Sequence, residues 1–446
     1  MPDLADPQRA DALLAEAEAA VELAQAVGAD DAVARLSRLR GLEFKWRDGS
    51  IEDVKEEDAR GLSLALYVDG RFSTHGTSDL EPKRLRAFLE EAVALTRHLE
   101  PDPNRRIPDP ALYEGRADVD LDLVDPAVIE LTRRERLAWC AELEEQARAD
   151  ESVVSVTSQV HDDHTQVARA SSNGFRGTET ATVSSYGTAV TIREGETRRP
   201  EDHWYVAGTH IGDLPARTAV GAEALRRVLS RRGASKVSSR RTTMLVHPEA
   251  AAMLVGRILG AMTAGAVQQR RSFLAEKKGE RIASPVLTIE DDPLRPRGLG
   301  SCLYDREGIA ARPRTLIRDG VLETFYVDTY YGRKLGWEPT TGSPSNIVLA
   351  QGDKDLDALV ADTTDAILVT SWIGGNANLT SGDYSFGVRG HVVKDGQLAE
   401  PVSEMNVTGN YLDLFQRLVA AGNDPVPWFP CLAPTLVFEG VQFSGS

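Results

Sequence analysis

Residues 242–282 constrain the fold of this chain most strongly, because they join a long run of apolar and small residues to a basic, polar run. Within them, residues 250–267 carry a single charge, Arg257, and three glycines, Gly256, Gly260 and Gly265. A run of about 18 residues is the lower limit for a helix that crosses a bilayer. Burying Arg257 in hydrocarbon would be costly. The run therefore predicts a helix buried inside protein, whose small residues let neighbouring elements approach closely.

The sequence before this helix alternates between helical and strand patterns. Apolar residues at helical spacing predict an amphipathic helix with Leu85, Phe88, Leu89, Ala92 and Leu95 on its buried face. Short β runs are joined by Asp48-Gly49 and Asp69-Gly70, and later in the chain by Asp319-Gly320 and Asp395-Gly396. Asp-Gly favours two-residue hairpin turns because both positions accept a positive φ. The Asn173-Gly174 pair predicts a further hairpin turn between two β runs.

Four segments follow from these patterns. Residues 1–100 predict an N-terminal α/β domain, and residues 101–124 a linker rich in proline, which removes backbone donors and keeps the chain extended. Residues 125–235 predict a middle α/β region that packs with the first domain, and residues 236–446 a β-rich C-terminal domain. The predicted fold class is α+β: an N-terminal α/β region with a β-meander and flanking helices, then a β-rich domain built around one buried helix.

Charge and cysteine content narrow the classes of partner. The formal net charge of −17 disfavours nucleic acid and anionic membrane as partners, because no basic stripe stands out from the acidic background. Cys140, Cys302 and Cys431 are odd in number and far apart, which indicates a reducing compartment without a disulfide framework. The N-terminal sequence is acidic and amphipathic, unlike a signal peptide. We therefore expect a cytoplasmic protein, with Cys140 as a small core residue.

Two places have the composition of a metal site. His161, Asp162, Asp163 and His164 are consecutive, but a zinc site needs three or four converging ligands, and these residues lie between two alternating β runs. We therefore expect them at a solvated hairpin tip. Cys431 lies between two prolines in WFPCLAP, where a buried thiol without partner ligands is the simpler interpretation. His161, His164 and Cys431 are thus only weak metal candidates.

Three long runs carry a resemblance to a known family, with Gly, Asp and Pro at the turns in the same order. They are RDGSIEDVKEEDARGLSLALYVDGRFSTHGTSDL, RRSFLAEKKGERIASPVLTIEDDPLRPRGLGSCLYDREG and GNANLTSGDYSFGVRGHVVKDGQLAEPVSEMNVTGN. Together with the central helix they resemble the TldD/TldE (PmbA) family of bacterial and archaeal metalloproteases. In the active TldD-type member, that helix bears H-E-x-x-x-H, with Gly directly before the second His. Alignment on Gly256 puts Ala252, Met253 and Arg257 at the three chemical positions.

The resemblance implies the TldE/PmbA-type subunit, which lacks the zinc motif. It then implies a non-catalytic partner in a complex that cleaves unfolded or flexible peptides, without catalytic residues or cofactor of its own. Zinc is expected in a TldD-type subunit, with which this chain would form a heterodimer. Family members with the motif also use a late cysteine as the third zinc ligand, and Cys431 lies in about that region.

Two alternatives remain open from the sequence. The chain could be a self-sufficient metallopeptidase with a ligand set outside the family pattern, such as His161, His164 and Cys431. It could instead be a homodimeric peptide-binding protein without protease activity. Metal content separates the first alternative from the inactive-subunit interpretation, and capture of a partner separates the second.

Overall fold

A computed structural model describes residues 7–445 of the 446-residue chain, with side chains from residue 10 onwards. Its first large feature is a six-stranded sheet in the order β3-β2-β1-β4-β5-β6, in which all neighbours are antiparallel. The strands are β1 (Asp31–Arg47), β2 (Ser50–Val68), β3 (Arg71–Thr77), β4 (Val153–Ser171), β5 (Arg176–Ile192) and β6 (Glu201–Gly208). Because β1 pairs with β4, strands from both halves of the N-terminal region form one sheet.

Helices cover one face of this sheet. They are α1 (Pro7–Ala26), α2 (Pro82–Thr96), α3 (Pro126–Glu130), α4 (Arg133–Ala147) and α5 (Arg217–Leu229). Side chains alternate between the faces of a strand, and the even-numbered residues of β1 and β4 enter the cores beneath α1 and α4. Cys140 of α4 is fully buried there, as predicted. Leu95 was predicted on the buried face of α2 but is 54% exposed, and Val93 is buried in its place.

The helix-covered face contains one buried ion pair. Nε and Nη2 of Arg136 on α4 donate to the two carboxylate oxygens of Asp162 on β4, at 2.6 and 2.7 Å. Both side chains are almost completely buried. Each charge depends on its partner, because water cannot replace it.

We expect Arg136→Met to lower the free energy of unfolding by about 3–5 kcal/mol, because the Asp162 charge would remain buried and unpaired. Replacing both partners, as in Arg136→Met with Asp162→Leu, should recover most of that loss. The matched control is Arg38→Met, since Arg38 pairs with Asp58 at the surface and should contribute less than about 1 kcal/mol. Urea denaturation measures all three variants. Equal midpoints for Arg136→Met and Arg38→Met would contradict the assignment.

The C-terminal half contains a ring of strands. β7 (Arg240–Val246), β12 (Asp365–Ala377), β13 (Asp383–Lys394), β14 (Gln397–Asn410) and β17 (Leu436–Ser444) follow one another, and β14 closes the ring on β17. β15 (Leu418–Ala421) pairs with the first half of β17, whereas β14 pairs with its second half. Closure leaves few unpaired strand edges in this half.

A smaller sheet packs beside the ring in the order β10-β9-β8-β11-β16. Its strands are β8 (Ile289–Asp291), β9 (Arg314–Arg318), β10 (Val321–Leu322), β11 (Ile347–Leu349) and β16 (Cys431–Leu432). The remaining helices are α6 (Pro248–Ala261), α7 (Ala264–Gln268), α8 (Thr329–Leu335), α9 (Leu356–Ala361) and α10 (Tyr411–Gln416). One continuous apolar core joins α6 to the ring and to the small sheet. The predicted α+β fold class is confirmed.

The four Asp-Gly turns form the predicted hairpins. In each of them both residues have a positive φ, for example 48° at Asp48 and 84° at Gly49 between β1 and β2. Asn173-Gly174 also lies in the turn between β4 and β5, as predicted. These turns were predictable because the backbone geometry of a two-residue hairpin selects the residue types directly.

The proline-rich segment 101–124 is held against the C-terminal half. Arg333 of α8 donates to the backbone carbonyls of Asn104, Arg106 and Ile107 at 3.0, 2.7 and 3.0 Å. The hydroxyl of Tyr330 on the same helix donates to Asp102 at 2.8 Å. Carbonyl groups that an extended, proline-rich chain leaves without strand partners are thus satisfied by one guanidinium group.

Candidate functional site

Helix α6 follows β7 directly, through a single connecting residue, His247. His247 is the N-cap and accepts from the backbone N–H of Glu249 at 3.4 Å, and Pro248 occupies the first helical position. Arg227 of α5 donates two hydrogen bonds to the Glu249 carboxylate, at 3.0 and 2.5 Å. Burial opposes ionisation of Glu249, but the Arg227 contacts outweigh it and lower its pKa. This ion pair fixes the start of α6 against α5.

The predicted run of residues 250–267 forms two helices in place of one. α6 ends at Ala261, whose carbonyl accepts from the Ser272 hydroxyl at 2.6 Å. Thr263 then caps α7 by accepting from the N–H of Ala266 at 3.2 Å. No helix in the described chain is long and apolar enough to span a membrane.

Helix α6 is buried along one side only. Its apolar face packs into the C-terminal core with Ala250, Ala251, Leu254, Val255, Ile258, Leu259 and Ala261. Met253 is 54% exposed, and Gly256 and Arg257 are exposed beside it. Ala252 and Gly260 are partly exposed at the margins of this face. The three positions identified by the family resemblance are Ala252, Met253 and Arg257. At about 100° per residue they fall within an arc of about 140° around the helix axis, so they share its exposed side.

The side chains at these positions do not fit zinc. A hydrolytic zinc site needs imidazole, carboxylate or thiolate ligands, and a base that takes a proton from the bound water. Ala252 has no donor atom, and the thioether of Met253 cannot act as a base. Arg257 is a permanent cation, which would repel the ion. These three residues therefore give the exposed face of α6 no zinc ligand set and no general base.

Cys431 is on β16, which packs against α6. Its backbone pairs in parallel with Ile347 of β11, and its side chain packs against the C-terminal core. Burial raises the pKa of its thiol to about 12. The thiol is therefore protonated at neutral pH, as an inert core cysteine would be.

The prediction that His161, Asp162, Asp163 and His164 form a solvated hairpin tip is wrong. These residues lie in the middle of the 19-residue strand β4. Asp162 and His164 are buried on the helix-covered face, whereas His161 and Asp163 bond to each other at 3.0 Å on the opposite face. Strand alternation directs the two histidines to opposite sides of the sheet, so they do not converge on one ion. No group of three or more potential ligands clusters among residues 7–445.

A cleft beside α6 was not foreseen from the sequence. It measures about 690 Å³ and lies between the end of α6, α7 and the turn that leads from β12 to β13. Gly260, Thr263, Gln269, Leu379 and Thr380 are among its lining residues. The only sequence signal was the polar, small-residue run NANLT, which by itself indicates a loop. The exposed face of α6 and this cleft together form the candidate site.

Comparison with known proteins identifies the family. Profiles of the PmbA/TldA metallopeptidase family match the chain as domain 1 over residues 32–96, the central domain over 127–232 and the C-terminal domain over 239–445. Metalloprotease PmbA of Escherichia coli O157:H7 is 30% identical over 410 residues, which cover 91% of this chain and 90% of that protein. The chain belongs to the TldD/TldE (PmbA) family.

Solved structures of other proteins share the whole fold of this TldD/TldE family member. A crystal structure from Bacteroides thetaiotaomicron, described as a "putative modulator of DNA gyrase", has a TM-score of 0.94 and 38% identity, covering 97% of this chain and 98% of that one. TldE of Thermococcus kodakarensis has a TM-score of 0.85 and 19% identity, covering 96% and 100%. At that identity the second likeness shows the fold alone.

Coverage differs between two relatives from one organism. A PmbA homolog from Haemophilus influenzae is 27% identical over 91% of this chain, whereas a TldD homolog from the same organism matches over only 34% of it, at 26% identity. The match to the PmbA homolog therefore spans almost the whole chain, whereas the match to the TldD homolog spans about a third of it.

Proposed function

We propose that this chain is the non-catalytic, PmbA/TldE-type subunit of a zinc metallopeptidase complex that cleaves unfolded or flexible peptides. The observation that carries the proposal is the exposed face of α6, where the family's ligand and base positions hold Ala252, Met253 and Arg257. A TldD-type partner supplies zinc and the catalytic base. The more extensive similarity to PmbA-type relatives supports the same assignment. The proposed compartment is the cytoplasm, in keeping with three free cysteines.

The exposed face of α6 also supports an association role. An exposed methionine beside Gly256 presents a flexible apolar side chain next to a position where a Cβ atom would meet nothing within 4 Å. A second backbone can approach such a surface closely, and leaving it uncovered would favour aggregation. We propose that this face contacts the TldD-type subunit, or a second copy of this chain when that subunit is absent.

The cleft beside α6 supports binding of extended peptides. Its lining includes small residues and the loop between β12 and β13, so a peptide backbone could approach strand ends there. Recognition through backbone hydrogen bonds depends little on peptide sequence. In the proposed complex, this subunit holds the substrate backbone while the partner performs the hydrolysis.

The association is tested by light scattering on the purified chain at micromolar concentration. We expect a dimer or larger species when the chain is alone and a heterodimer when a TldD-type subunit is added. Met253→Glu should weaken both associations because it introduces a charge into an apolar contact. Leu398→Glu is the matched control, since Leu398 is 49% exposed on β14, away from α6. A monomer of 48.5 kDa that also fails to capture the TldD-type subunit would disprove the association.

The homodimeric peptide-binding alternative makes a different prediction in the same experiment. A self-associated species that persists unchanged with excess TldD-type subunit, and that binds peptides, would favour it over the heterodimer. The sensitivity to Met253→Glu would then identify the α6 face as the self-association surface.

A further inference from the structure

The sheet face opposite the helices encloses a second cavity, at the junction with the C-terminal half. Odd-numbered residues of β4 and neighbouring residues of β5 face the loop that contains Cys302, Tyr304 and Asp305. The cavity measures about 180 Å³. A second space of about 390 Å³ adjoins it, and the two share Glu179 and Cys302 in their walls. This junction cavity is distinct from the cleft beside α6.

Several polar groups in its wall have no hydrogen-bond partner within the described chain. Arg169 is 6% exposed; it donates from Nη1 to the carbonyl of Asp305 at 3.1 Å, while its Nε has no acceptor. Tyr304 is 3% exposed, and its hydroxyl is unpartnered. The Nε of Arg314 also has no acceptor. Buried donors in proteins are almost always satisfied, so three unsatisfied donors around one cavity indicate an acceptor that occupies it.

The tyrosine is held in a fixed position. Its ring packs edge-on against Phe175, with the ring centroids 4.9 Å apart. A Cβ atom added at Gly177 would lie 2.6 Å from the ring, so the absence of a side chain there is what admits Tyr304. The ring is therefore held by packing in the wall of the cavity, and its hydroxyl has no hydrogen bond within the described chain. Such preorganisation is typical of a binding site.

One cation in the wall, Arg169, has no ion-pair partner in the described chain, although the nearby carboxylates of Glu179 and Asp305 stabilise its charge. Arg314 pairs with Asp291 at 3.3 Å, and the Asp305 carboxylate accepts from the backbone N–H groups of Glu307, Ile309 and Gly342. Arg169 has only a carbonyl partner among residues 7–445. A ligand carboxylate can accept from the unpartnered Nε of Arg169, and it brings less negative charge toward Glu179 and Asp305 than a phosphate dianion would.

Two further titratable groups at the junction, Glu179 and Cys302, favour a binding role over catalysis. Glu179 has no hydrogen bond in the described structure, and burial raises the pKa of its carboxyl group. Burial also raises the pKa of the Cys302 thiol to about 12, so the thiol is neutral and a poor nucleophile. Glu179 separates the small cavity from the larger one and can donate or accept a hydrogen bond there.

We propose that the junction cavity binds an organic carboxylate, held by Arg169 and Tyr304, with the rest of the ligand extending past Glu179 into the adjoining space. Two sources share this chemistry: a free amino acid, and the C-terminal carboxylate of a short peptide. The volumes favour the peptide, because the adjoining space has walls from Val167 and Leu303 for further side chains. The peptide source rests on the proposed function, as a substrate or product of the complex.

Calorimetric titration of the full chain tests the proposal with three probes: alanine, trialanine and trialanine amide. We expect trialanine to bind at least tenfold more tightly than its amide, because only the acid pairs with Arg169. Tyr304→Phe should weaken trialanine binding at least tenfold while leaving the melting temperature unchanged, since the hydroxyl it removes has no partner in the protein. Tyr205→Phe is the control, at a partly exposed tyrosine of β6 outside the cavity walls.

Each outcome decides the question. Binding of trialanine but not alanine identifies a peptide terminus, and equal binding of both identifies a free carboxylate site. Equal affinity for the acid and the amide, no effect of Tyr304→Phe, or no binding at millimolar concentration would each overturn the proposal. Because no partner subunit or zinc is involved, failure here is separate from failure of the proposed function.

Discussion

A mixture of this chain with a TldD-type subunit is expected to hydrolyse an unstructured peptide, whereas the chain alone is expected to hydrolyse none. Ala252, Met253 and Arg257 provide no metal ligand and no general base, so water is not activated at α6. Enzymatic acceleration begins at about 10⁶-fold over the uncatalysed reaction, so the contrast should be close to all or none. A fluorogenic, disordered peptide and a time course with each subunit alone and with both together measure it.

Two controls sharpen this activity experiment. A chelator should abolish the activity of the mixture, and Cys431→Ala in this chain should leave it unchanged, because the Cys431 thiol is neutral and packs against the C-terminal core. Met253→Glu should lower the activity of the mixture by weakening association. Activity of the chain alone that survives Cys431→Ala and disappears with chelator would refute the non-catalytic assignment.

Zinc content gives the second large contrast. We expect the chain, purified without chelator, to hold far less than one zinc per molecule. The variant Ala252→His with Met253→Glu and Arg257→His restores two imidazoles and a carboxylate on the exposed face of α6, beside β16, which carries Cys431. We expect it to bind about one zinc per chain through the two imidazoles and the Cys431 thiol, since three ligands from protein suffice for a catalytic-type site and the new carboxylate occupies the position of the base.

The triple variant needs its own control. Adding Cys431→Ala should lower its zinc content if that thiol turns toward the metal, and elemental analysis with circular dichroism separates lost ligands from lost fold. One tightly held zinc in the unmodified chain would contradict the prediction. It would revive the alternative ligand set of His161, His164 and Cys431, despite the separation of the two histidines across β4.

What the sequence predicted well depended on local chemistry. The Asp-Gly turns require positive φ at adjacent residues, so the residue types alone identify them. The end of α6 also had a local signal, because Thr263 is a good N-cap for a second helix. The apolar composition of the run outweighed that signal, so one helix was predicted where there are two.

The errors came from partners distant in sequence. The polar run at 161–164 suggested solvent exposure, yet Asp162 is paired with Arg136, 26 residues earlier, on a helix that covers the sheet. The exposure of Met253 could not be predicted either, because the apolar pattern of α6 shows which residues can be buried and not which are covered. The junction cavity depends on Arg169, Tyr304 and Arg314, which only the tertiary structure brings together.

The hydrogen bonds from Arg333 to the proline-rich segment have a consequence for the relative orientation of the two halves when a second subunit binds. Three backbone carbonyls of this segment, which links two parts of the N-terminal region, accept hydrogen bonds from one guanidinium group of α8 in the C-terminal half. These hydrogen bonds tie the N-terminal half to the C-terminal half at a point other than the chain connection after α5, so we expect the two halves to move together. A partner that binds the C-terminal half would then also fix the orientation of the N-terminal sheet. Residues of two strands of that sheet, β4 and β5, line the junction cavity. We expect Arg333→Ala to remove these hydrogen bonds, so that the two halves move more independently while each half stays folded.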